Sequence, residues 1–440
     1  MVIQKFGGTS VGSAARIKDV AALIQDGRRK VVVLSAMSGT TNSLAEIVQA
    51  LNKGDKDVVH TIVDDLERTY AVTVEELFQS KAFKLRALEM LEGHWSHILS
   101  FTLDMFTRFE ERTVLAQGEL ISTNLLQLYL EEQSVYSALL PALDFMRIDQ
   151  QGEPDMWYVK SNLERMLKEN PDVDLFVTQG YICRNHFGDI DNLKRGGSDY
   201  TASIIGAAIK VDEVQIWTDI DGMHNNDPRV VKQTKPISRL TFDEAAELAY
   251  FGAKILHPTS IVPARQASIP VILKNTLKPD LPGTIISNEP SGDFIKAVAA
   301  KDGITAIKIK SDRMLLAHGF LRKVFEVFER HKISIDMITT SEVAVSLTID
   351  TTEDIAPLLE ELRLYGKVEV DTVQTIVCVV GHLLQEEPGH AAKILGALKD
   401  VPIRMISYGG SKNNISILID SHLKTAALRA LNHGLFNLEA

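Results

Sequence analysis

The sequence contains few cysteines: there are two in 440 residues, Cys183 and Cys378. They lie far apart along the chain, neither belongs to a CxxC motif or a Cys/His cluster, and the twelve histidines show no metal-ligand spacing. Disulfide frameworks and structural zinc sites need such clustering. The scattered cysteines and histidines therefore argue against a disulfide framework and against a structural zinc site, and no metal held by side chains alone is predicted. So few cysteines are typical of a protein in a reducing compartment.

Long apolar runs and excess basic charge are also missing. No segment approaches the roughly 20 apolar residues that span a bilayer, and the first residues lead directly into a strand-like segment rather than a secretory signal. We therefore expect a cytoplasmic protein without a membrane partner. The net charge is −11, which argues against a nucleic-acid partner because phosphate backbones are bound by clustered Lys and Arg.

The motifs of two well-known ATP-binding folds are absent. The chain has no GxxxxGK[ST] sequence and no HRD and DFG pair. These absences argue against a P-loop fold and against a protein kinase.

The first two-thirds of the chain alternates short apolar runs with amphipathic stretches. Strands are predicted at residues 31–34, 175–177, 214–217 and 271–273. Helices are predicted between them, for example over 201–210 and 241–249, while residues 55–132 interrupt the rhythm with consecutive helices. Such alternation favours an α/β fold with a mainly parallel sheet covered by helices.

A repeated pattern follows a boundary at residues 279–293, which are rich in proline and glycine. Helical apolar spacing over 321–328 precedes strict alternation over 343–349 and a second helical pattern over 355–362. The same order returns about 70 residues later, at 391–398, 415–419 and 423–431. The element order is βαββαβ-like, which fits two structural α+β domains or a tandem ligand-sensing module.

A glycine pair follows the first predicted strand, in the segment Lys5-Phe6-Gly7-Gly8-Thr9-Ser10. Paired glycines let main-chain N–H groups approach a phosphate, a helix beginning near Ser13 adds its positive end, and the lysine supplies a cation. A second turn of small residues, 35–42, follows the next strand. Each turn alone is also consistent with a tight turn or a capped helix start. Two of them at the ends of early strands favour a ligand crevice.

The segment Arg195-Gly196-Gly197-Ser198-Asp199 is a third glycine-rich element before a predicted helix. Its arginine can bind a carboxylate in bidentate fashion, and its aspartate can accept from an ammonium group. Asp199 equally suits a helix N-terminus. Glu119 is a lone carboxylate in a helical stretch, and from the residues alone it is interpreted as a solvated helix residue.

Acidic residues follow the predicted strand 214–217. Thr218-Asp219 comes directly after it and Asp227-Pro228-Arg229 a little later. Carboxylates at a strand end can hold a magnesium–nucleotide complex, but Asp-Gly sequences are also ordinary turns. Lys254 lies at a predicted helix end, where a lysine commonly only complements the helix dipole.

Taken together, these segments resemble one family. Lys-Phe-Gly-Gly-Thr-Ser, Gly-Glu, Arg-Gly-Gly-Ser-Asp, Trp-Thr-Asp, Asp-Pro-Arg and Phe-Gly-Ala-Lys-Ile-Leu-His-Pro occur in the order typical of aspartate kinases. The region from Gly319 to Ile349 resembles the monofunctional, lysine-inhibited members. The resemblance implies a three-layer αβα amino-acid-kinase domain over 1–290 and two α+β ACT domains over 303–372 and 373–440, which in this family can be interleaved. It also implies a homodimer or a homotetramer.

The resemblance assigns roles to the residues at matching positions. ATP is bound by Lys5, Gly7, Gly8, Ser38, Thr218, Asp219, Arg229 and Lys254, and aspartate by Thr41, Glu119, Arg195 and Asp199, of which Lys5, Arg195 and Asp199 are catalytic. A lysine effector is bound by Met314, Ile335, Asp336, Thr340, Ser341 and Glu342. Two departures are present. His224 replaces a tyrosine near the nucleotide, and Ala317-His318 replaces a Ser-Arg pair, which leaves the effector's identity open.

The implied reaction is transfer of the γ-phosphoryl group of Mg²⁺·ATP to the β-carboxylate of L-aspartate, giving 4-phospho-L-aspartate. It is the first step of lysine, threonine and methionine biosynthesis, with L-lysine as the feedback effector. The accepting carboxylate has a reference pKa of about 3.9, so no general base is needed and the enzyme's task is positioning and charge neutralisation. The alternatives are a kinase of another small acid and a catalytically silent amino-acid sensor.

Overall fold

The structure is a computed structural model that describes residues 1–103, 105–193, 196–252, 256–290, 294–311, 318–350, 354–382, 384, 386 and 388–439. The chain forms two compact units, Met1–Met223 with Ile255–Glu289 and His224–Lys254 with Pro290–Ala440. Within the described ranges, no helix is both long and apolar enough to cross a membrane.

The strands are numbered in chain order. They are β1 Val2–Phe6, β2 Lys30–Leu34, β3 Ser137–Leu139, β4 Leu175–Gln179, β5 Ile182–Arg184, β6 Ile190–Asn192, β7 Glu213–Thr218, β8 Arg239–Thr241, β9 Val271–Asn275, β10 Thr284–Ser287, β11 Ile295–Lys310, β12 Ile338–Thr340, β13 Ala344–Ile349, β14 Lys367–Gly381, β15 Met405–Tyr408 and β16 Asn414–Asp420. The four strands predicted from apolar runs are β2, β4, β7 and β9, and all four are confirmed.

The helices are numbered in the same way. They are α1 Ala14–Leu23, α2 Thr40–Lys53, α3 Lys56–Leu77, α4 Lys81–Ser100, α5 Arg108–Glu132, α6 Ala142–Phe145, α7 Met156–Glu169, α8 Gly197–Ile209, α9 Phe242–Tyr250, α10 Val262–Gln266, α11 Phe320–Arg330, α12 Ala356–Leu362, α13 His390–Ala397 and α14 Lys424–Phe436. Short 3₁₀ segments lie at Gly8–Val11, Pro258–Ile261 and Ser421–Leu423. The consecutive helices predicted over 55–132 are α3, α4 and α5.

The first unit is built on a mainly parallel sheet with the strand order β3-β4-β2-β1-β7-β9-β10. The strands from β3 to β9 run parallel, and β10 pairs antiparallel with β9. β2 and β4 are buried along their whole length, as expected of strands with helices on both faces. The predicted α/β architecture is confirmed.

Helices cover both faces of this sheet. On one face, Phe6, Val32 and Leu34 join the apolar core formed with α1 to α5. On the other face, α8 packs on β1, β2 and β7, and α7 and α10 pack on α8. Because side chains alternate along a strand, Lys5 points to the opposite face from Phe6, toward α8.

The second unit contains a six-stranded antiparallel sheet in the order β12-β13-β11-β14-β16-β15. Its two longest strands, β11 and β14, pair along nearly their full length and run through two separate cores. The first core includes Ile307 and Leu347, together with α11 and α12. The second includes Val298 and Ile417, together with α13 and α14. The first half of β11 therefore serves the second repeat, although it precedes the first repeat in sequence.

Residues 224–252 fold with this second unit. Val231 is part of its second core. The side chain of Asn432 on α14 is buried, and its amide donates to the Gln233 carbonyl oxygen at 3.0 Å. The Asn226 amide donates to the Leu428 carbonyl oxygen at 3.1 Å. The chain therefore leaves β7 and enters the second unit, and it returns to the first unit before α10.

Candidate functional site

The candidate active site lies at the edge of the first sheet where the parallel strands end. β1, β2, β4 and β7 end at Phe6, Leu34, Gln179 and Thr218, which lie at one edge because neighbouring strands are in register. The 3₁₀ turn Gly8–Val11 and the N-termini of α2 and α8 begin just beyond these ends. Unpaired N–H groups at helix N-termini attract anions, so this edge is suited to phosphates and carboxylates.

Lys5 and Asp199 form a buried ion pair at this edge. Lys5 Nζ lies 2.7 Å from Asp199 Oδ1, and the two side chains are 10% and 12% exposed. Lys5 is supplied by β1, whereas Asp199 lies in the first turn of α8. The sequence predicted both residues as catalytic, and the structure brings them together as neighbours. The pair fixes an ammonium group close to the glycine turn, since a Cβ on Gly7 would lie 3.7 Å from Lys5 Nζ.

The two glycine- and serine-rich turns lie against each other. A Cβ placed on Gly8 would lie 2.8 Å from the Ala36 carbonyl oxygen and 3.5 Å from the Ser38 nitrogen. A side chain at position 8 would therefore force the turns apart. Ser38 is exposed, and so is Thr41 in the first turn of α2. Both remain accessible to a ligand beside Lys5.

Glu119 is buried in α5, with 4% of its surface exposed. The interpretation of Glu119 as a solvated helix residue is therefore wrong. Burial raises the pKa of the Glu119 carboxyl to about 8, although a hydrogen bond from the Ala36 main-chain N–H and the charge of Lys5 act in the opposite direction. A buried carboxyl in such a state gains strongly from an incoming cation. Glu119 is thus suited to accept an ammonium group.

Thr218 and Asp219 form a second polar group, at the end of β7. The Ile220 main-chain N–H donates to Thr218 Oγ1 at 3.1 Å, which forms a tight turn, and Asp219 is exposed. Trp217, directly before them, stacks on Phe6 with ring centres 5.7 Å apart. Lys274 Nζ on neighbouring β9 lies 4.9 Å from the Trp217 ring centre. Lys274 was not predicted, because a lysine inside an apolar strand pattern gives no signal of its own.

Arg229 and His224 belong to the second unit. The Arg229 guanidinium forms a local pair with Asp227, with Nη2 2.8 Å from Oδ2, and the arginine side chain is 84% exposed. His224 Nδ1 lies 2.7 Å from Thr234 Oγ1. The geometry leaves Arg229 accessible on the surface of its unit. Of the other predicted site residues, Arg195, Lys254 and Met314 lie outside the described residues.

Tyr181 at the end of β4 was missed by the sequence analysis. Its backbone has φ of 66°, a left-handed conformation that is strained for an aromatic residue and is enriched at functional sites. A Cβ on Gly197 would lie 2.4 Å from the Tyr181 ring. Burial, followed by the charge of Glu119, raises the pKa of Tyr181 to about 12. The available signal was its position four residues after the predicted strand 175–177.

The predicted effector residues lie in the first repeat of the second unit. Ile335 packs against the first core, and Asp336 is paired with Lys301, with Nζ 3.2 Å from Oδ1 and the Asp336 side chain 0% exposed. Thr340 ends β12, and Ser341 and Glu342 are exposed in the following turn. The structure thus places one buried carboxylate beside a short exposed polar segment.

Comparison with known proteins identifies the protein family. Residues 1–275 match the amino acid kinase family, and residues 377–435 match an ACT domain. The lysine-sensitive aspartokinase 3 of Escherichia coli strain K12 is 33% identical over 449 residues, which cover 99% of each chain.

 The chain belongs to the amino acid kinase family and, within it, to the aspartokinases.

Two solved structures show the same fold. A structure of E. coli aspartokinase III in complex with aspartate and ADP superimposes with a TM-score of 0.83, at 32% identity, and covers 99% of this chain and 100% of that one. A structure of the same enzyme with lysine and aspartate gives a TM-score of 0.83 at 32% identity and covers 99% of both chains. The chain is therefore a kinase with a C-terminal ACT region, as the resemblance implied.

Proposed function

We propose that this chain transfers the γ-phosphoryl group of ATP to the β-carboxylate of L-aspartate, giving 4-phospho-L-aspartate, and that L-lysine inhibits it through the ACT region. The observation that carries the catalytic part is the buried Lys5–Asp199 ion pair, 2.7 Å long, beside two glycine- and serine-rich turns that lie against each other. A cation held in place at this edge is what a reaction between two anions requires.

Lys5 neutralises charge on the transferred group in this proposal. The accepting carboxylate and the phosphoryl group are both negative, so their approach is unfavourable unless cations lie close to both. Asp199 orients the Lys5 ammonium group. Gly8 and Ser38 provide N–H donors for the phosphates, and Gly7, whose own N–H donates to the Trp217 carbonyl oxygen at 3.2 Å, provides space for them. Burial of the ion pair keeps water from screening its charge. Arg195 completes the catalytic group by binding a carboxylate of aspartate.

Aspartate is bound next to Lys5 by Thr41, Glu119, Arg195 and Asp199. Glu119 accepts from the substrate ammonium group, because a buried carboxyl whose pKa is raised to about 8 is stabilised in its charged form by a cation. Thr41 lies exposed at the N-terminus of α2.

The nucleotide is bound by Thr218, Asp219, Arg229 and Lys254, with magnesium as part of the nucleotide substrate. Mg²⁺ prefers one or two carboxylates together with phosphate oxygens and water, and the exposed Asp219 carboxylate at the end of β7 fits that preference. When bound, the ion offsets phosphate charge. The reaction is proposed to take place in the cytoplasm, where ATP is available and the free thiols of the chain remain reduced.

Lysine binds in the first repeat of the second unit in this proposal. Ile335, Asp336, Thr340, Ser341 and Glu342 supply apolar contact, a buried carboxylate and exposed polar groups, with Met314 as a further ligand. The active assembly is a homodimer or a homotetramer. The outer strands of the six-stranded sheet support this, because Ile338 and Ile406 are 37% and 38% exposed there and an exposed apolar edge favours association.

The test is ATP-dependent formation of an acyl phosphate, trapped with hydroxylamine, from L-aspartate and from L-glutamate, with and without L-lysine. Hydroxamate from aspartate alone, reduced by lysine, is expected. Product from glutamate but not from aspartate would replace the substrate assignment. A full absence of product would favour an amino-acid sensor without catalysis, and unchanged turnover with lysine would remove lysine as the effector. Sedimentation velocity with and without lysine measures the assembly.

A further inference from the structure

A cluster of charged and polar groups joins α9 to the sheet of the second unit. The hydroxyl of Tyr250, the last residue of α9, donates to Asp336 Oδ1. Lys301 Nζ on β11 lies 3.2 Å from the same oxygen and 2.8 Å from Asp350 Oδ2. The same ammonium group lies 4.1 Å from the Tyr250 ring centre. One ammonium group, one hydroxyl and a second carboxylate therefore surround the buried Asp336 carboxylate, although Tyr250 is 46% exposed and the Asp350 side chain 42% exposed.

Asp336 is incompletely satisfied in this cluster. Its side chain is 0% exposed, yet its second carboxylate oxygen, Oδ2, is buried without a hydrogen-bond partner among the described residues. Buried carboxylate oxygens normally accept hydrogen bonds. The Asp336 backbone is held in place, since its N–H donates to the Thr348 carbonyl oxygen at 2.9 Å. The carboxylate is thus a fixed acceptor with capacity for one further donor.

The end of α9 is tightly attached to β11 at the same place. Gly252 has φ of 133°, and a Cβ there would lie 2.4 Å from the Ala300 carbonyl oxygen, so the two backbones approach as only glycine permits. One turn earlier, Asn414 Nδ2 donates to Glu247 Oε2 at 2.5 Å. The position of α9 therefore depends on contacts with the ACT sheet on which the predicted effector residues lie.

We propose that Tyr250 is a positioning residue that transmits the occupancy of Asp336 to α9, and through the chain to Lys254, four residues further on. The inference rests on the proposed function, in which the ammonium group of lysine binds Asp336. An added ammonium group at the unbonded Asp336 Oδ2 draws negative charge away from Oδ1 and weakens the hydrogen bonds that Oδ1 accepts from Tyr250 and Lys301. Lys301 retains Asp350 as a partner, whereas Tyr250 has no second hydrogen-bond partner within the described ranges.

Weakening of the Tyr250 hydrogen bond removes one of the contacts that hold the end of α9. Lys254 is a proposed nucleotide ligand, so loosening the segment that precedes it weakens nucleotide binding when lysine is present. Linkage requires the reverse effect as well: bound nucleotide weakens lysine binding by the same factor. Tyr250 is therefore assigned to the coupling between the two ligands and not to either binding site.

The test is Tyr250→Phe in the full-length chain, with Tyr408→Phe as the matched control. The Tyr408 hydroxyl donates to the Leu384 carbonyl oxygen at 3.3 Å, so the control removes one hydroxyl from the same unit without touching Asp336. Lysine binding is measured by calorimetry, and inhibition by hydroxamate formation at subsaturating ATP. For Tyr250→Phe, lysine is expected to bind as tightly as to the parent chain or more tightly. The ratio of activities without and with saturating lysine is expected to fall about fivefold or more.

The outcomes separate the proposed coupling through Tyr250, called the relay below, from the proposed function on which it rests. Inhibition of Tyr250→Phe as strong as that of the parent chain would overturn the relay. Loss of lysine binding in this variant would also overturn it, because Tyr250 would then be part of the lysine site. A merely structural role predicts a lower melting temperature with unchanged sensitivity to lysine. If the parent chain forms aspartyl hydroxamate but shows no heat of lysine binding, the effector assignment fails, and the relay fails with it.

Discussion

At the residue scale, the Lys5–Asp199 ion pair links stability to catalysis. Lys5→Ala is expected to lower kcat by roughly 10²–10³-fold, the range for removing one group that stabilises transition-state charge. It should also destabilise the first unit by about 3–5 kcal/mol, because Asp199 is left buried without its partner. Steady-state kinetics and urea denaturation measure the two effects.

The double variant Lys5→Ala/Asp199→Ala separates these effects. Removal of both charges eliminates the unpaired carboxylate, so part of the lost stability should return while activity stays low. A double variant no more stable than Lys5→Ala would show that the buried charge is not the cause of the loss. Near-parental turnover of Lys5→Ala would remove Lys5 from the proposed mechanism.

Glu119 makes the stability of the folded chain depend on pH. The pKa of its carboxyl is raised from 4.5 to about 8 by burial, so the folded chain retains a proton that the unfolded chain releases above its ordinary pKa. Because the folded state binds more protons between these values, this group makes stability fall as pH rises through that interval. Glu119→Gln removes the effect and should be more stable than the parent chain at pH 9 by an amount on the order of a few kcal/mol.

Urea denaturation at pH 5 and pH 9 checks this prediction. Glu92→Gln is the matched control, since Glu92 is exposed on α4, and it should leave the pH dependence of the parent chain unchanged. The Glu119→Gln variant should also raise KM for aspartate, because a neutral amide attracts an ammonium group less strongly than a carboxylate does. An equal pH dependence in Glu119→Gln and the parent chain would contradict the assignment.

At the element scale, the turn after β1 requires glycine at position 8. In Gly8→Ala, the new methyl group would lie 2.8 Å from the Ala36 carbonyl oxygen, so the turns after β1 and β2 must separate. We expect a loss of about 1–3 kcal/mol and a higher KM for ATP. Gly93→Ala is the contrasting control: a Cβ there meets nothing within 4 Å, and the change should stabilise α4 by about 0.5–1 kcal/mol. Melting curves and ATP titrations compare the two variants.

The elements that could be predicted from the sequence are those with strong local patterns. β2 and β4 were predicted because strands buried on both faces need apolar residues at every position, and α11 and α13 because one helical face is apolar. The lengths of β11 and β14 were not predicted. The proposed domain limits at 303 and 372 fall inside these strands, because pairing between distant segments leaves no trace in local periodicity.

The candidate site, too, could be predicted only where local sequence patterns are strong. The glycine turns and Lys5 were identified because they follow predicted strands directly. The burial of Glu119 was not predicted, since polar and apolar residues are mixed around α5 and no single apolar face marks its buried side. Gly118 was the missed signal: a Cβ there would lie 2.7 Å from the Ala36 side chain, which places α5 directly against the turn after β2.

At the scale of the whole molecule, the shared strands make the two repeats of the second unit one cooperative structure. Ile307→Ala in the first core and Ile417→Ala in the second should each destabilise the same unfolding transition by about 2–5 kcal/mol. Both residues are fully buried. Calorimetry of the full chain checks this, and a separate transition for each core would contradict it. Ile333→Ala, at a partly buried position beside the first core, is a milder control.

The two free cysteines lie in different units, and burial raises the pKa of both thiols. A thiol must be exposed and ionised to react with an alkylating reagent, so modification of Cys183 reports opening of the first unit and modification of Cys378 opening of the second. The native chain therefore contains one thiol probe of local opening in each unit. Mass spectrometry of timed alkylation with and without lysine would follow local opening in both units within one sample, without adding a label.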